Sequence, residues 1–96
     1  MIRHICMFKL KSEGRCENIA EFLRRAESLR EIDGLRRFEA VSNCAGAPES
    51  NFDVSLILDF DSLAALDAYQ KDPVHVEFAG FVATVRVDRA CIDYEF

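Results

Sequence analysis

Hydrophobic alternation with period two at Met1–Leu10, Leu35–Cys44, Phe52–Phe60 and Ala90–Phe96, interrupted by stretches of helical periodicity, gives the order strand-helix-strand-strand-helix-strand. That order predicts an α+β fold of the ferredoxin-like βαββαβ kind, a four-stranded antiparallel sheet with its helices on one face. Length agrees with one such unit: 96 residues, 50% hydrophobic and 30% charged, predict a single domain over residues 1–96. The third observation is that Ile5, Met7 and Ile57 leave the inner strands apolar on both faces, so the bare side of the sheet needs a cover. A second copy packed face to face supplies it, which predicts a homodimer through the open sheet face, a dimeric α/β barrel. Folding at this size buries only about two-thirds of the unfolded surface, and association adds to that.

In the first strand Ile2, His4, Cys6, Phe8 and Leu10 share one face and Ile5 and Met7 the other. After Ser12-Glu13-Gly14, the spacing of Ile19, Phe22, Leu23, Ala26, Leu29 and Ile32 predicts an amphipathic helix, with Glu21, Arg24, Arg25 and Arg30 on its polar side. Gly34 stands where a left-handed residue ends the helix, and Leu35–Cys44 follows as the second strand, closed by Ala45-Gly46-Ala47-Pro48. Phe52, Val54, Leu56, Leu58 and Phe60 alternate with Asp53, Ser55, Ile57 and Asp59 to give the third strand. Asp61 or Ser62 caps a second helix that carries Leu63, Leu66 and Tyr69, and Asp72-Pro73 starts a further, short helix with an Asp cap and Pro in its first turn. That helix is expected to turn His75, Phe78 and Phe81 inward. Ala90, Ile92, Tyr94 and Phe96 mark the last strand.

Twelve basic against seventeen acidic residues leave a net charge of −5, which argues against a nucleic-acid partner. No run of about 18 apolar residues is present and the charged N-terminal stretch does not read as a signal peptide, so the expectation is a cytoplasmic protein with no membrane partner. Cys6, Cys16, Cys44 and Cys91 show no CxxC or Cys/His spacing; they are read as thiols, with no metal and no cofactor expected.

His4 is the polar residue on an otherwise apolar strand face, and a buried imidazole needs a partner. Tyr69 and His75 stand six residues apart across the break at Pro73, a separation that can aim both at one volume. A chemical assignment makes His75 a general base, Tyr69 a donor to a developing enolate and His4 an orienting or second acid-base group. A structural assignment gives His4 a backbone carbonyl partner, packs the Tyr69 ring and leaves His75 half exposed. Cys6, Phe8, Phe22, Phe78 and Phe81 either fill the core or line an apolar pocket around these groups. Asp72 is read as a helix cap, and the Arg24-Arg25 and Arg36-Arg37 pairs as solvated faces.

The segments Ile2-Arg3-His4-Ile5-Cys6-Met7-Phe8-Lys9-Leu10-Lys11, Phe52–Ser62, Tyr69-Gln70-Lys71-Asp72-Pro73-Val74-His75 and Asp88–Tyr94, in this order and spacing, resemble the stress-responsive dimeric α/β-barrel (Dabb) family over nearly the whole chain. The resemblance implies the dimeric barrel. Members range from plant stress-induced proteins without agreed chemistry to a polyketide cyclase that closes an aromatic ring without a cofactor. In cyclase-like members a histidine in the first strand, a tyrosine late in the second helix and a histidine after the proline line a cavity; His4, Tyr69 and His75 hold those positions here. The family often has His before that proline, where this chain has Asp72. Two functions follow: a barrel of unassigned molecular role that binds a small hydrophobic molecule or acts structurally, and a cofactor-independent cyclase- or lyase-type enzyme acting on a carbonyl-bearing metabolite. A third, haem-handling role has no haem signature behind it.

Overall fold

A computed structural model describes residues 1–96. Its strands are β1 (Ile2–Leu10), β2 (Arg37–Ser42), β3 (Val54–Phe60) and β4 (Arg86–Glu95), and its helices α1 (Arg15–Ala26), α2 (Leu63–Lys71) and α3 (Pro73–Val85). They form one antiparallel sheet in the order β2-β3-β1-β4, the ferredoxin-like arrangement. Strand parity decides which side chains meet the helices. Ile2, His4, Cys6, Phe8 and Leu10 are buried toward them, with Val54, Leu56, Leu58 and Phe60 beside them on β3. From above, Phe22, Ala26, Leu29, Leu66, Tyr69, Phe78, Val82 and Val85 close the same core.

Local chemistry fixes the helix ends. Ser62 accepts a hydrogen bond from the Ala65 amide at 3.1 Å and opens α2. Asp72 ends α2 in extended conformation, as the residue before proline must, and its carboxylate accepts from the Val74 amide at 2.9 Å to open α3. Gly34, with φ of 94°, takes the left-handed turn that leads toward β2.

Two expectations are corrected. The helix after Pro73 is not short: it runs 13 residues and is the longest in the chain, because nothing after the Asp72 break interrupts it before Val85. The first helix tightens at its end into a 3₁₀ turn over Glu27–Glu31, which the three-and-four spacing of its apolar residues does not distinguish from α-helix.

The opposite sheet face has no helix over it. Met7, Val41, Ile92 and Tyr94 are exposed there, and Ile5 and Ile57 are half-buried at its centre, directly paired across β1 and β3. Beside them Arg3 donates to both carboxylate oxygens of Asp59, at 2.7 and 2.9 Å, and its guanidinium lies 4.5 Å from the centre of the Phe96 ring. No helix is long and apolar enough to cross a membrane.

Candidate functional site

A cavity of about 150 Å³ lies between the helix-side face of β1 and the α2-α3 junction. Its walls include His4, Cys6 and Phe8 from β1, Tyr69 and Gln70 from the end of α2, and His75, Phe78 and Val82 from α3. The Asp72-Pro73 break makes this possible: it turns the chain between Tyr69 and His75 so that their rings pack at 4.6 Å between centroids. Arg86 and Arg89, at the start of β4, bring positive charge to the rim.

Both histidines are tautomerically fixed by their partners. The Nδ1–H of His75 donates to the Gln70 carbonyl at 3.0 Å, which leaves Nε2 with the lone pair of a base. The Nδ1–H of His4 donates to the Asp93 carboxylate at 2.5 Å, so here too Nε2 is the free nitrogen. Burial lowers the pKa of His75 below its ordinary value, outweighing the Gln70 carbonyl, which favours the protonated ring, and keeps the ring neutral near pH 7. Tyr69 is 1% exposed and packs at a tilt against the rings of Phe60 and His75, yet its hydroxyl is buried with no hydrogen-bond partner. Burial pushes that phenol well above its ordinary pKa, so it is a neutral donor in want of an acceptor.

Among the pocket-lining residues read from the sequence, Cys6, Phe8 and Phe78 border this cavity; Phe22 and Phe81 do not. Phe22 lies deeper, fully buried between the rings of Phe8 and Phe78 at 5.7 and 5.2 Å. Phe81 sits three residues beyond Phe78 and turns toward α1, half-buried under the Arg25 guanidinium, 4.3 Å from its ring centre.

The reading of all four cysteines as thiols is overturned. Cys6 and Cys91 are bonded, with Cα atoms 4.2 Å apart, whereas Cys16 and Cys44 are free and exposed. Cys6 and Cys91 are 85 residues apart in sequence and become direct neighbours only through the β1-β4 register. The same register puts Asp93 opposite His4, so the histidine's partner is a carboxylate and not the backbone carbonyl expected. His4 offers a ring nitrogen, and Cys6 and Cys91 offer sulfurs, all within 4.8 Å of one another; these are the groups that could hold a metal ion. Sequence reading missed Cys91, Asp93, Gln70, Arg86 and Arg89. Alternation in β4 was the available signal, since Arg89, Cys91, Asp93 and Glu95 have the parity opposite to the apolar Ala90, Ile92 and Tyr94.

The sequence model of the stress responsive A/B barrel domain matches residues 2–96. Among solved structures, a protein from Bacteroides fragilis described as dimeric, ferredoxin-like and of unknown function is 30% identical, covers 99% of this chain and 95% of its own, and superposes with a TM-score of 0.87. A Dabb family protein from Mesorhizobium loti is 27% identical with a TM-score of 0.81, covering 98% of this chain and 94% of its own. A dimeric ferredoxin-like protein of unknown function from Thermobifida fusca, 22% identical, shares the fold at a TM-score of 0.89 over 99% of this chain and 90% of its own. No curated protein matches the chain in sequence.

Proposed function

The chain belongs to the stress responsive A/B barrel domain family, and from that premise we propose that it is a cytoplasmic homodimer that binds a small carbonyl- or carboxylate-bearing molecule in the cavity beside Tyr69. The observation that carries this reading is the Tyr69 hydroxyl, a buried donor without an acceptor at the wall of a cavity that also holds two fixed imidazoles. An oxygen of the ligand accepts that hydrogen bond, Phe8, Phe78 and Val82 hold its apolar part, and Arg86 and Arg89 favour an anionic end. The volume, equal to about five liquid waters, selects small molecules and not long chains. Pairing with a second copy covers Ile5, Met7, Ile57 and Ile92 on the open sheet face, as the dimeric description of the Bacteroides and Thermobifida proteins supports.

Benzoate and its neutral carbonyl counterpart benzamide serve as probes, titrated into the protein and followed by NMR. Binding that perturbs the His75 and Tyr69 resonances and weakens by about tenfold or more in Tyr69→Phe is expected, since that substitution removes only the donor. Equal affinity in both proteins would sink the assignment.

A catalytic reading is favoured by one further feature, the neutral His75 whose free Nε2 is a base beside the Tyr69 donor. In that reading His75 removes a proton next to a carbonyl and Tyr69 steadies the enolate oxygen. His75→Ala then abolishes turnover of a substrate with the dimer intact; full activity in that variant would remove His75 from the chemistry.

A further inference from the structure

Cys6, Cys91 and His4 form a cluster that ligand binding does not use as such. Cys6 and Cys91 face each other across the β1-β4 ladder, His4 is the next residue on the same face of β1, and the three donor atoms fall within 4.8 Å. The backbone pairing of β1 with β4 runs the length of both strands, so it holds the two sulfurs side by side whether or not they are bonded. Cys6 is buried at the cavity wall and Cys91 is exposed, which leaves the pair open to attack by a small thiol.

We propose that this corner of the cavity is a redox-gated metal site, in which reduction of the Cys6–Cys91 bond frees two thiolates that, with the His4 imidazole, bind a zinc-class divalent cation. Reduction proceeds by thiol-disulfide exchange: two low-molecular-weight thiols supply two electrons and two protons to the Cys6–Cys91 bond and leave joined as their own disulfide. The cation then displaces the two cysteine protons, and the charges of two thiolates balance it. Two sulfurs and one imidazole are a zinc donor set, and in a tetrahedral site such atoms lie about 3.5–3.8 Å apart, within reach of their present separation once the sulfurs part. Three protein donors leave a fourth position for water or for an oxygen ligand in the cavity. Asp93 completes the arrangement. By accepting the Nδ1–H of His4 it orients the ring and leaves Nε2 as the nitrogen open to a cation, the carboxylate-histidine pairing that accompanies histidine ligands. Oxidation closes the site, because a sulfur committed to a disulfide is no longer a thiolate donor.

The test uses the full chain with Cys16→Ser and Cys44→Ser, so that Cys6 and Cys91 are the remaining thiols. It is reduced with a phosphine, desalted without oxygen and titrated with Co²⁺, then with Zn²⁺. Expected is one cobalt per chain with thiolate-to-cobalt charge-transfer absorption, bleached by zinc, present in the reduced protein and missing in the oxidised one. Cys91→Ser, a change at an exposed edge-strand position, abolishes that absorption, and Asp93→Asn weakens cobalt binding by about 10- to 100-fold with the far-UV circular dichroism unchanged. A reduced protein without the charge-transfer band, a band that survives Cys91→Ser, or an Asp93→Asn protein that binds cobalt as tightly as its parent would each overturn the proposal. The titration reads neither Tyr69 nor His75, so it stands or falls apart from the ligand reading.

Discussion

Two side chains decide what the cavity can do, and each makes a prediction of its own. The Tyr69 hydroxyl bears a desolvation penalty of about 1–3 kcal/mol with no hydrogen bond to offset it. Tyr69→Phe is therefore expected to raise the melting temperature by several degrees, since about 1 kcal/mol shifts a domain of this size by roughly 4–8 °C. A lower melting temperature would mean that the hydroxyl finds a partner in solution. His75 works through pH. Its folded pKa lies below the ordinary 6.5 of the unfolded chain, mainly by burial, with His4 and Arg89 adding to the depression and Asp72 opposing it. The folded state thus holds fewer protons, and the stability His75 contributes is complete above about pH 6.5 and lost as pH falls through its lower folded value. Thermal melts between about pH 7.5 and pH 5 should show the wild type losing stability more steeply below about 6.5 than His75→Gln. Parallel curves would show that His75 is as easily protonated in the fold as out of it.

The α2-α3 junction is the element on which the site depends. Asp72 closes one helix and caps the next, and Pro73 adds a φ already set for a first turn. Without the carboxylate the Val74 amide loses its acceptor, so Asp72→Ala is expected to cost about 1 kcal/mol in denaturant unfolding. Because that cap aims His75 at Tyr69, probe binding should weaken as well; a loss of stability with affinity unchanged would separate the cap from the site. The cap read from the sequence at Asp72 is what the structure shows. Here the residue does the work of a helix cap, and the site's polar groups come instead from β4, as Asp93, Arg86 and Arg89.

At the scale of the molecule, the sheet has one face under helices and one without them. Ile5 and Ile57 sit at the centre of the uncovered face, flanked by exposed Met7, Val41, Ile92 and Tyr94. A patch of this kind on a small domain is better buried against another surface than left in water. Ile57→Asp places a charge at its centre and is expected to convert a dimer to monomers at micromolar concentration in sedimentation velocity, with the circular dichroism of the fold retained. An unchanged sedimentation coefficient would assign the dimer contact to another face.

The chain's own pattern was enough to place the strands, except that β4 opens at Arg86, four residues before its apolar alternation begins, and enough for the helix starts and the inward parity of His4, Cys6 and Phe8, because alternation and capping are local and each is written within about ten residues. The position of Asp72 as a cap and the two-sided apolar strands were legible for the same reason. What only the tertiary structure decided was who meets whom across the sheet. The β1-β4 register joins Cys6 to Cys91 and His4 to Asp93 over more than 80 residues of sequence, and it converts two scattered cysteines and a lone histidine into one cluster. Helix rotation decided the rest: Phe22 and Phe81 share the apolar spacing of Phe78, yet one packs beneath the cavity wall and the other under Arg25. Spacing gives the face of an element, whereas the partner of that face depends on how distant elements dock, and no local pattern carries that.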